Sequence, residues 1–407
     1  MIHFKSNLNI KHEKTNLVVG VFSDISNDIT TQLDKTLNKR LSIALKDGLI
    51  PTKFKDITPI YPLGQIESNK VYIVGLGKST DFTVEKCRKI LGQIGKTAKE
   101  DVTILLETFD CKSVSIHELA KVCAEAITLA TYQLKTYKTD EKCLKPINFY
   151  IHCDTDITDD LERGVIYGEA TNSARQLLNE PGNMLTATDL ANTIATFANK
   201  NNLDVRIIEK DEMEQLGMGG ILGVNQGSTE PPKMIVVKYQ GTSRYDNVIA
   251  LVGKGITFDT GGYCLKPRSS MEGMKGDMGG AASAFGAFQI AVRLKLPVNL
   301  LLVIPSTDNM ISGNAMKPGD ILTTMSGKTV EVTNTDAEGR LILADGITFA
   351  KHLGASKIIN LATLTGAIIS ALGMDTTGVF TNNQDFLNEF QKAADLTNEY
   401  IWQMPLF

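Results

Sequence analysis

Histidine is scarce in this sequence, and the spacing motifs that use cysteine or histidine as metal or redox groups are missing. Only five histidines occur in 407 residues, and no H-E-x-x-H pattern is present, which excludes a zincin mechanism. None of the five lies in the charged motifs described below, so a histidine-based catalytic triad has little support. The six cysteines contain no C-x-x-C pair, and the sequence predicts that they remain thiols. They are Cys87, Cys111, Cys123, Cys143, Cys153 and Cys264.

The sequence also lacks a long apolar run and an excess of basic residues. No apolar stretch approaches the roughly 18 residues that a membrane-spanning helix needs. Residues 1–6 do not resemble the start of a secretory signal peptide. The net charge of −4 gives no electrostatic reason to expect nucleic acid as the main partner. These absences predict a cytoplasmic protein without a membrane or nucleic-acid partner.

Length and alternating patterns predict two α/β domains. A chain of 407 residues is too long for one ordinary hydrophobic core. In residues 1–155, strand-like runs alternate with helical patterns, which favours a layered α/β domain with a substantially parallel sheet. A helical pattern over 156–180 is predicted to connect this smaller domain to a larger α/β domain, 181–407, with a mixed central sheet. Within the first domain, the leucine spacing predicts one helix over Ile29–Leu45.

Two acids and an arginine lie close together in the run Asn334–Arg340. Asp336 and Glu338 are separated by one residue, Arg340 follows at the same spacing, and a β-rich segment ends just before them at Thr333. Charged side chains at the end of a strand can point into one pocket. Carboxylate oxygens suit hard divalent cations, and a guanidinium suits a developing oxyanion. The run therefore predicts a charged functional site.

A glycine-rich segment upstream carries further charged residues. Val248–Gly253 predicts a buried strand, and the loop predicted after it carries the charged residues Lys254, Asp259, Lys266 and Asp277. Glycines in such a loop permit tight turns and close approach of the backbone to a ligand. Together with the downstream acids, these carboxylates could bridge two cations, as two-metal hydrolytic sites require.

Each of these residues also has an ordinary structural interpretation. A single acid is more often a surface charge or a helix N-cap, and a lysine after a strand commonly extends to solvent. Arg340 could simply pair with Glu338. The recurrence of four acids at the ends of predicted strands favours one shared site over these separate roles.

Together these stretches resemble the leucyl (cytosol) aminopeptidase family. The run Asn334–Arg340 matches the family's N-T-D-A-E-G-R signature at every residue. Gly253–Gly262, followed by Lys266 and Asp277, matches a second family motif in order and spacing, and Ala362–Ala367 resembles its substrate-binding loop. The resemblance implies a two-domain α/β fold whose larger domain is a metallopeptidase. It also implies leucyl aminopeptidase activity on peptides.

The resemblance implies a site for two divalent metal ions. In that arrangement, Asp259 and Glu338 bridge the ions, Asp277 and the neutral amine of Lys254 complete one ion's ligands, and Asp336 completes the other's. A water activated by both ions attacks the peptide carbonyl, and one ion binds the free α-amine of the substrate. Sites of this kind accept Mn²⁺, Zn²⁺ or Mg²⁺, and the sequence does not choose among them.

The resemblance also implies roles for residues around the metals. Lys266 stabilises the oxyanion, and Arg340 holds a bicarbonate ion that acts as general base. An apolar pocket prefers leucine and similar side chains. The implied substrate-binding residues are Met274, Asn334, Thr363, Leu364 and Gly366.

Other implications concern assembly and completeness. The resemblance implies a homohexamer for the complete protein and a cytoplasmic location. The region Trp402–Phe407 is followed in the family by a further segment, which implies that this chain lacks the C-terminal part of the catalytic domain. The alternatives are an inactive fragment, a non-catalytic or DNA-binding family member, and a two-metal phosphohydrolase. Retention of every motif residue and the absence of a basic stripe favour the aminopeptidase.

Overall fold

The structure, a computed structural model, describes residues 1–111, 113–134, 137–139 and 145–407. The chain divides into two compact units, Met1–Asn179 with Phe285–Val298, and Glu180–Ala284 with Asn299–Phe407. Both units combine helices and sheets, so the predicted α/β class is confirmed. The domain boundaries predicted at residues 155 and 180 stay predictions. No helix among the described residues is long and apolar enough to cross a membrane.

The first unit is built on a six-stranded sheet in the order β1-β6-β5-β2-β4-β3. All of its pairings are parallel except β3 with β4, which confirms the predicted parallel character. Its strands are β1 Ile2–Lys5, β2 Asn16–Phe22, β3 Ile57–Ile60, β4 Val71–Gly77, β5 Val102–Leu105 and β6 Phe149–His152. Its helices are α1 Asp28–Thr36, α2 Arg40–Lys46, α3 Val84–Thr97, α4 Ile116–Ala130 and α5 Thr158–Asn179.

The single helix predicted over Ile29–Leu45 is wrong, because two helices occupy that stretch. Asn38 and Lys39 adopt positive φ angles of 53° and 61°, a left-handed conformation that ends α1 before α2 begins. The leucines at positions 33, 37 and 41 are nevertheless buried together in one core cluster. The apolar face was therefore predicted correctly, although the helix that carries it is broken.

The second unit contains the sheet that positions the predicted site. Its strands are β7 Asp204–Ile208, β8 Lys233–Gln240, β9 Ile249–Gly253, β10 Gly255–Asp259, β11 Asn299–Asn309, β12 Ile321–Thr323, β13 Thr329–Glu331, β14 Lys357–Leu361, β15 Thr376–Val379 and β16 Tyr400–Gln403. Its helices are α6 Ala187–Lys200, α7 Lys210–Gln215, α8 Gly219–Asn225, α9 Arg268–Met271, α10 Gly279–Arg293 (shared with the first unit), α11 Glu338–His352, α12 Ala367–Leu372 and α13 Gln384–Thr397.

The main sheet of the second unit is mixed, in the order β14-β9-β11-β8-β7 with β10 paired to β11. β9 and β10 each pair parallel with β11, and β14 pairs parallel with β9, so these four strands run in the same direction. β8 pairs antiparallel with β11, and β7 pairs antiparallel with β8. The carboxyl ends of the four parallel strands therefore lie at one edge of the sheet. In open α/β sheets this edge is where ligands bind.

The sequence predicted a loop for the glycine-rich stretch after β9, but parts of this stretch form a strand and a helix. Gly255–Asp259 forms β10, and the glycines from Gly279 onward begin α10. A Cβ at Gly255 would lie 2.7 Å from the Pro305 carbonyl oxygen, so glycine permits the close approach of β10 to β11. The predicted strand over Lys328–Thr333 exists as β13, but it pairs only with β12 in a small separate sheet.

The described cysteines are all free thiols, as the sequence predicted. Cys87, Cys111, Cys123 and Cys153 are buried in the first unit, and Cys264 is partly buried in the second. The remaining one, Cys143, lies outside the described residues.

Candidate active site

Lys254 is a deeply buried charged residue of the predicted site. It directly follows β9, and its side chain is only 2% exposed. Its Nζ lies 2.7 Å from Asp277 Oδ2 and 2.9 Å from Glu338 Oε1, and it donates a hydrogen bond to the Thr363 carbonyl oxygen at 3.1 Å. The predicted alternative of a lysine extending to solvent is therefore wrong. Lys254 instead links segments that follow β9 and β14 with the start of α11.

Lys266 makes the second set of ion pairs. Its Nζ lies 2.8 Å from Asp259 Oδ2 and 2.5 Å from Asp336 Oδ1. Asp259 ends β10 and is buried, whereas Asp336 lies in the short 3-10 turn before α11 and is partly exposed. The two lysines thus connect all four predicted acids in two groups, one around each ammonium.

Three of the acids also approach one another closely enough to share a cation. Asp259, Asp336 and Glu338 each offer a carboxylate oxygen, and these oxygens all lie within 4.8 Å of one another. Glu338 Oε2 is buried and accepts no hydrogen bond from any described residue, whereas Asp277 Oδ2 and Asp336 Oδ1 lie against the Lys254 and Lys266 ammonium groups. Buried polar atoms are normally paired. The Glu338 oxygen is therefore free to act as a cation ligand, the two aspartate oxygens already face a positive charge, and the donor set fits a hard divalent ion.

Glu338 owes its position to the start of α11. The preceding turn is capped by the Asn334 side chain, which accepts a hydrogen bond from the Asp336 backbone N–H at 2.9 Å. α11 begins at Glu338 itself, where the unpaired N–H groups of a helix terminus favour a negative charge. The next residue, Gly339, lies against Lys254: a Cβ there would be 2.6 Å from Lys254 Cε and 2.8 Å from its Nζ.

Replacing Gly339 with alanine is therefore expected to push the Lys254 ammonium away from its carboxylates. Overpacking of this kind typically costs about 1–3 kcal/mol of stability, and a displaced ligand typically weakens metal binding about tenfold or more. Thermal melting and Mn²⁺ titration calorimetry would measure both effects. Gly313→Ala is the matched control, because a Cβ there meets no atom within 4 Å. Equal behaviour of the two variants would contradict the expected clash.

The ion pairs and the burial of the site shift several pKa values. Burial raises the pKa of Asp277 to about 7, against the opposing effect of Lys254. Burial lowers the pKa of Lys254, but Glu338 and Asp277 outweigh it, so the net pKa is raised. The pKa of Lys266 is also raised, because Asp259 and Asp336 outweigh its burial. Both lysines are therefore ammonium groups here, and only a nearby cation could convert Lys254 into the neutral amine that the resemblance implies.

The implied substrate-binding residues differ in whether they contact the acids. Thr363 donates a hydrogen bond from Oγ1 to Asp277 Oδ1 at 2.8 Å, so it belongs to the site. Leu364 and Gly366 follow it in an exposed loop before α12, and Met274 is partly buried. Among the described residues, no hydrogen bond or ion pair joins Leu364, Gly366 or Met274 to the four acids. Their substrate-binding role stays a prediction.

Arg340 is exposed on the first turn of α11. Within the described ranges its guanidinium makes no ion pair, and Glu338 pairs with Lys254 instead. The predicted alternative of an Arg340–Glu338 ion pair is therefore wrong. An exposed guanidinium beside the acidic cluster can bind an anion, which agrees with the implied bicarbonate role without testing it.

Asn309 and Thr335, which were not predicted from the sequence as site residues, connect the two acidic segments. Asn309 is the last residue of β11. Its Nδ2 donates to Asp259 Oδ1 at 2.9 Å and to the Thr335 carbonyl oxygen at 3.1 Å. The polar residues that follow the apolar part of β11 were the available signal, since this strand also ends at the site edge.

The chain is similar to known proteins along most of its length. Residues 172–407 match the model for the catalytic domain of the cytosol aminopeptidase family, and residues 18–141 match the model for that family's N-terminal domain. The solved structure of a tomato leucine aminopeptidase point mutant is 29% identical, with a TM-score of 0.85, over 99% of this chain and 81% of that one.

A second solved structure, the bottromycin maturation enzyme BotP, is 28% identical, with a TM-score of 0.83, over 96% of this chain and 81% of that one. The same enzyme in complex with Mn is also 28% identical, with a TM-score of 0.83, over 97% of this chain and 82% of that one. The match to the family catalytic domain includes every charged residue of the site described above.

Proposed function

Because the chain belongs to the cytosol aminopeptidase family, we propose that it is a dinuclear metal-dependent aminopeptidase acting on peptides with N-terminal leucine or other apolar residues. The observation that carries the proposal is the cluster of carboxylates at the sheet edge. Asp259, Asp336 and Glu338 have oxygens within 4.8 Å of one another, and the buried Glu338 Oε2 accepts no hydrogen bond from any described residue.

The residues that would hold the ions are those that already converge on this edge. Asp259 and Glu338 would bridge, Asp277 with Lys254 would serve one ion, and Asp336 the other. Two divalent ions supply Lewis acidity and activate a water at neutral pH. Mn²⁺ is the first ion to test, because BotP has been solved in complex with Mn; Zn²⁺ and Mg²⁺ remain candidates on ligand chemistry.

The chain's own side chains supply orientation and charge stabilisation. The Lys266 side chain is 14% exposed, and its ammonium can donate hydrogen bonds to a developing oxyanion. The Thr363 hydroxyl holds Asp277 in place. We propose that Arg340 would hold a bicarbonate ion, which would supply a general base to the site.

Substrate selection has two parts in this proposal. The cation site recognises the free α-amine, which restricts cleavage to the chain end. Met274, Leu364 and Gly366 then line the side-chain pocket, with Asn334 and Thr363 beside it. An apolar pocket discriminates by only about 1–3 kcal/mol per methylene, so leucine, methionine and similar residues should all be accepted.

Removal of divalent cations is expected to abolish leucyl-amide hydrolysis, and added Mn²⁺, Zn²⁺ or Mg²⁺ should restore it. The physical reason is that the carboxylates alone provide neither an activated water nor a site for the substrate amine. The measurement is activity before and after chelator treatment and cation addition, with the metal content followed by elemental analysis. Calcium addition serves as the control for non-specific charge neutralisation. Full activity in verified metal-free protein would refute the proposal.

The homohexamer and the cytoplasmic location rest on the family resemblance alone. We propose both for this protein. Light scattering coupled to size exclusion measures the assembly directly, and a monomeric active species would contradict the hexamer.

A further inference from the structure

A buried amide group joins the two segments that carry the site's carboxylates. Asn309 is 1% exposed at the end of β11. Its Nδ2 donates one hydrogen bond to Asp259 Oδ1 and one to the Thr335 carbonyl oxygen. Both partners are pure acceptors, so the nitrogen of the carboxamide, not its oxygen, must face them. Both hydrogens of the amide are therefore used, one on each segment.

The Thr335 side chain strengthens the same connection. It is fully buried, its Oγ1 donates to the Gly261 carbonyl oxygen at 2.6 Å, and it accepts from the Cys264 backbone N–H at 2.8 Å. Gly261 has a φ of +86°, and a Cβ there would lie 2.7 Å from Asp336 Oδ1. The turn after Asp259 and the turn that carries Asp336 are thus held against each other by the Thr335 side chain and by Asn309, which reaches both segments from β11.

Asn309 also determines which oxygen of Asp259 faces the site. Oδ1 accepts from Asn309 Nδ2 and from the Gly261 backbone N–H, both at 2.9 Å. Oδ2 instead contacts the Lys266 ammonium at 2.8 Å. A carboxylate held through one oxygen by two donors presents the other at a defined angle.

We propose that Asn309 is a positioning residue, which sets the separation and orientation of the Asp259 and Asp336 carboxylates and so determines the affinity of the site for its cations. The inference rests on the proposed metal-dependent function and deepens it. Asparagine suits this role because it has two donors at one nitrogen. An aspartate at position 309 would offer only acceptors beside a carboxylate, and an alanine would leave both segments unconnected.

The same strand provides a matched control. Asn299 begins β11, is 4% exposed, and donates from Nδ2 to the carbonyl oxygens of Arg244 and Asp246, both at 2.7 Å. Like Asn309, it is buried, lies on β11 and donates two hydrogen bonds from its side-chain amide. It lies, however, at the opposite end of β11 from the carboxylates. Its replacement should disturb packing to a similar extent without touching the site.

The test compares Asn309→Ala with Asn299→Ala by Mn²⁺ titration calorimetry on the chelator-treated full chain. We expect the Mn²⁺ dissociation constant to rise about 10–100-fold in Asn309→Ala, as is typical when the partner of a metal ligand is removed, and to stay at the wild-type value in Asn299→Ala. The Mn²⁺ concentration for half-maximal leucyl-amide hydrolysis should shift by the same factor. Thermal melting of the metal-free proteins establishes that both variants are folded.

Three results overturn the inference. If Asn309→Ala binds Mn²⁺ as tightly as Asn299→Ala, while wild type binds it, positioning by Asn309 is wrong and the metal-dependent function stands. If wild type binds neither Mn²⁺ nor Zn²⁺, the proposed function fails and the inference fails with it. Should Asn309→Ala not fold, Asn309→Gln replaces it, because it retains both donors but places them one methylene farther along; wild-type affinity in that variant overturns the inference too.

Discussion

Glu338→Gln is expected to lose Mn²⁺ binding and peptide hydrolysis together. Glu338 Oε1 pairs with Lys254, and buried Oε2 accepts no hydrogen bond from any described residue. The amide would remove the negative charge and place a donor where a cation ligand is needed. We expect a loss of at least about 100-fold in both affinity and activity, because removal of groups that only orient a ligand already costs about 10–100-fold. Titration calorimetry and leucyl-amide hydrolysis measure the two quantities.

Asp345→Asn is the control for this substitution. Asp345 lies on the same helix, is fully buried, and accepts hydrogen bonds from the backbone N–H groups of Ile221 and Met325 at 2.9 and 2.8 Å. Its amide variant should lower the melting temperature, because the amide nitrogen that replaces one of the two accepting oxygens would face a backbone N–H donor. Mn²⁺ affinity should remain that of wild type. Retention of tight Mn²⁺ binding and activity by Glu338→Gln would remove Glu338 from the metal site.

Acetylation of the substrate's α-amine is expected to reduce hydrolysis of a leucyl amide by about 10³-fold or more. A site built to bind a polar substrate group rejects analogues that lack it by large factors, since its own groups are then left unpaired. In the proposed mechanism the free amine is a ligand of one cation, and an amide nitrogen is a much poorer one. The measurement compares kcat/KM for free and N-acetylated leucyl p-nitroanilide.

Leucyl p-nitroanilide with a methylated α-amine is the matched control, because methylation adds bulk but leaves the nitrogen basic. Its hydrolysis should fall less than that of the acetylated substrate. Comparable turnover of the blocked and free substrates would indicate an endopeptidase or an esterase, although the fold and the cation site would be unchanged.

The charged residues of the site could be predicted because they lie in two short runs. Lys254 lies close to Asp259 in the sequence, and Asp336 lies close to Glu338. The residue types of these two pairs alone suggest cation binding. Asn309 could not be predicted in the same way. Its importance depends on the pairing of β10 with an extended β11 and on a hydrogen bond to Asp259 across 50 residues. Strand pairing of that range leaves no local pattern in the sequence.

The fold was predictable to the extent that it depends on local apolar spacing. The strand that ends at Gly253 was found because a short apolar run is characteristic of a buried strand. The break between α1 and α2 was missed for the opposite reason. Leucines four residues apart fit one helix or two, and only the left-handed backbone at Asn38 and Lys39 separates the cases.

The spacing of the site's contributors along the chain bears on how the protein folds. Lys254 reaches the carbonyl of Thr363, which is 109 residues away. β9 and β14 must be paired before these two groups can meet, and contacts of such long range form late and slowly. A partly folded chain therefore offers a cation only scattered carboxylates. Divalent ions should bind the native state almost exclusively, so that raising their concentration increases the free energy of unfolding by mass action.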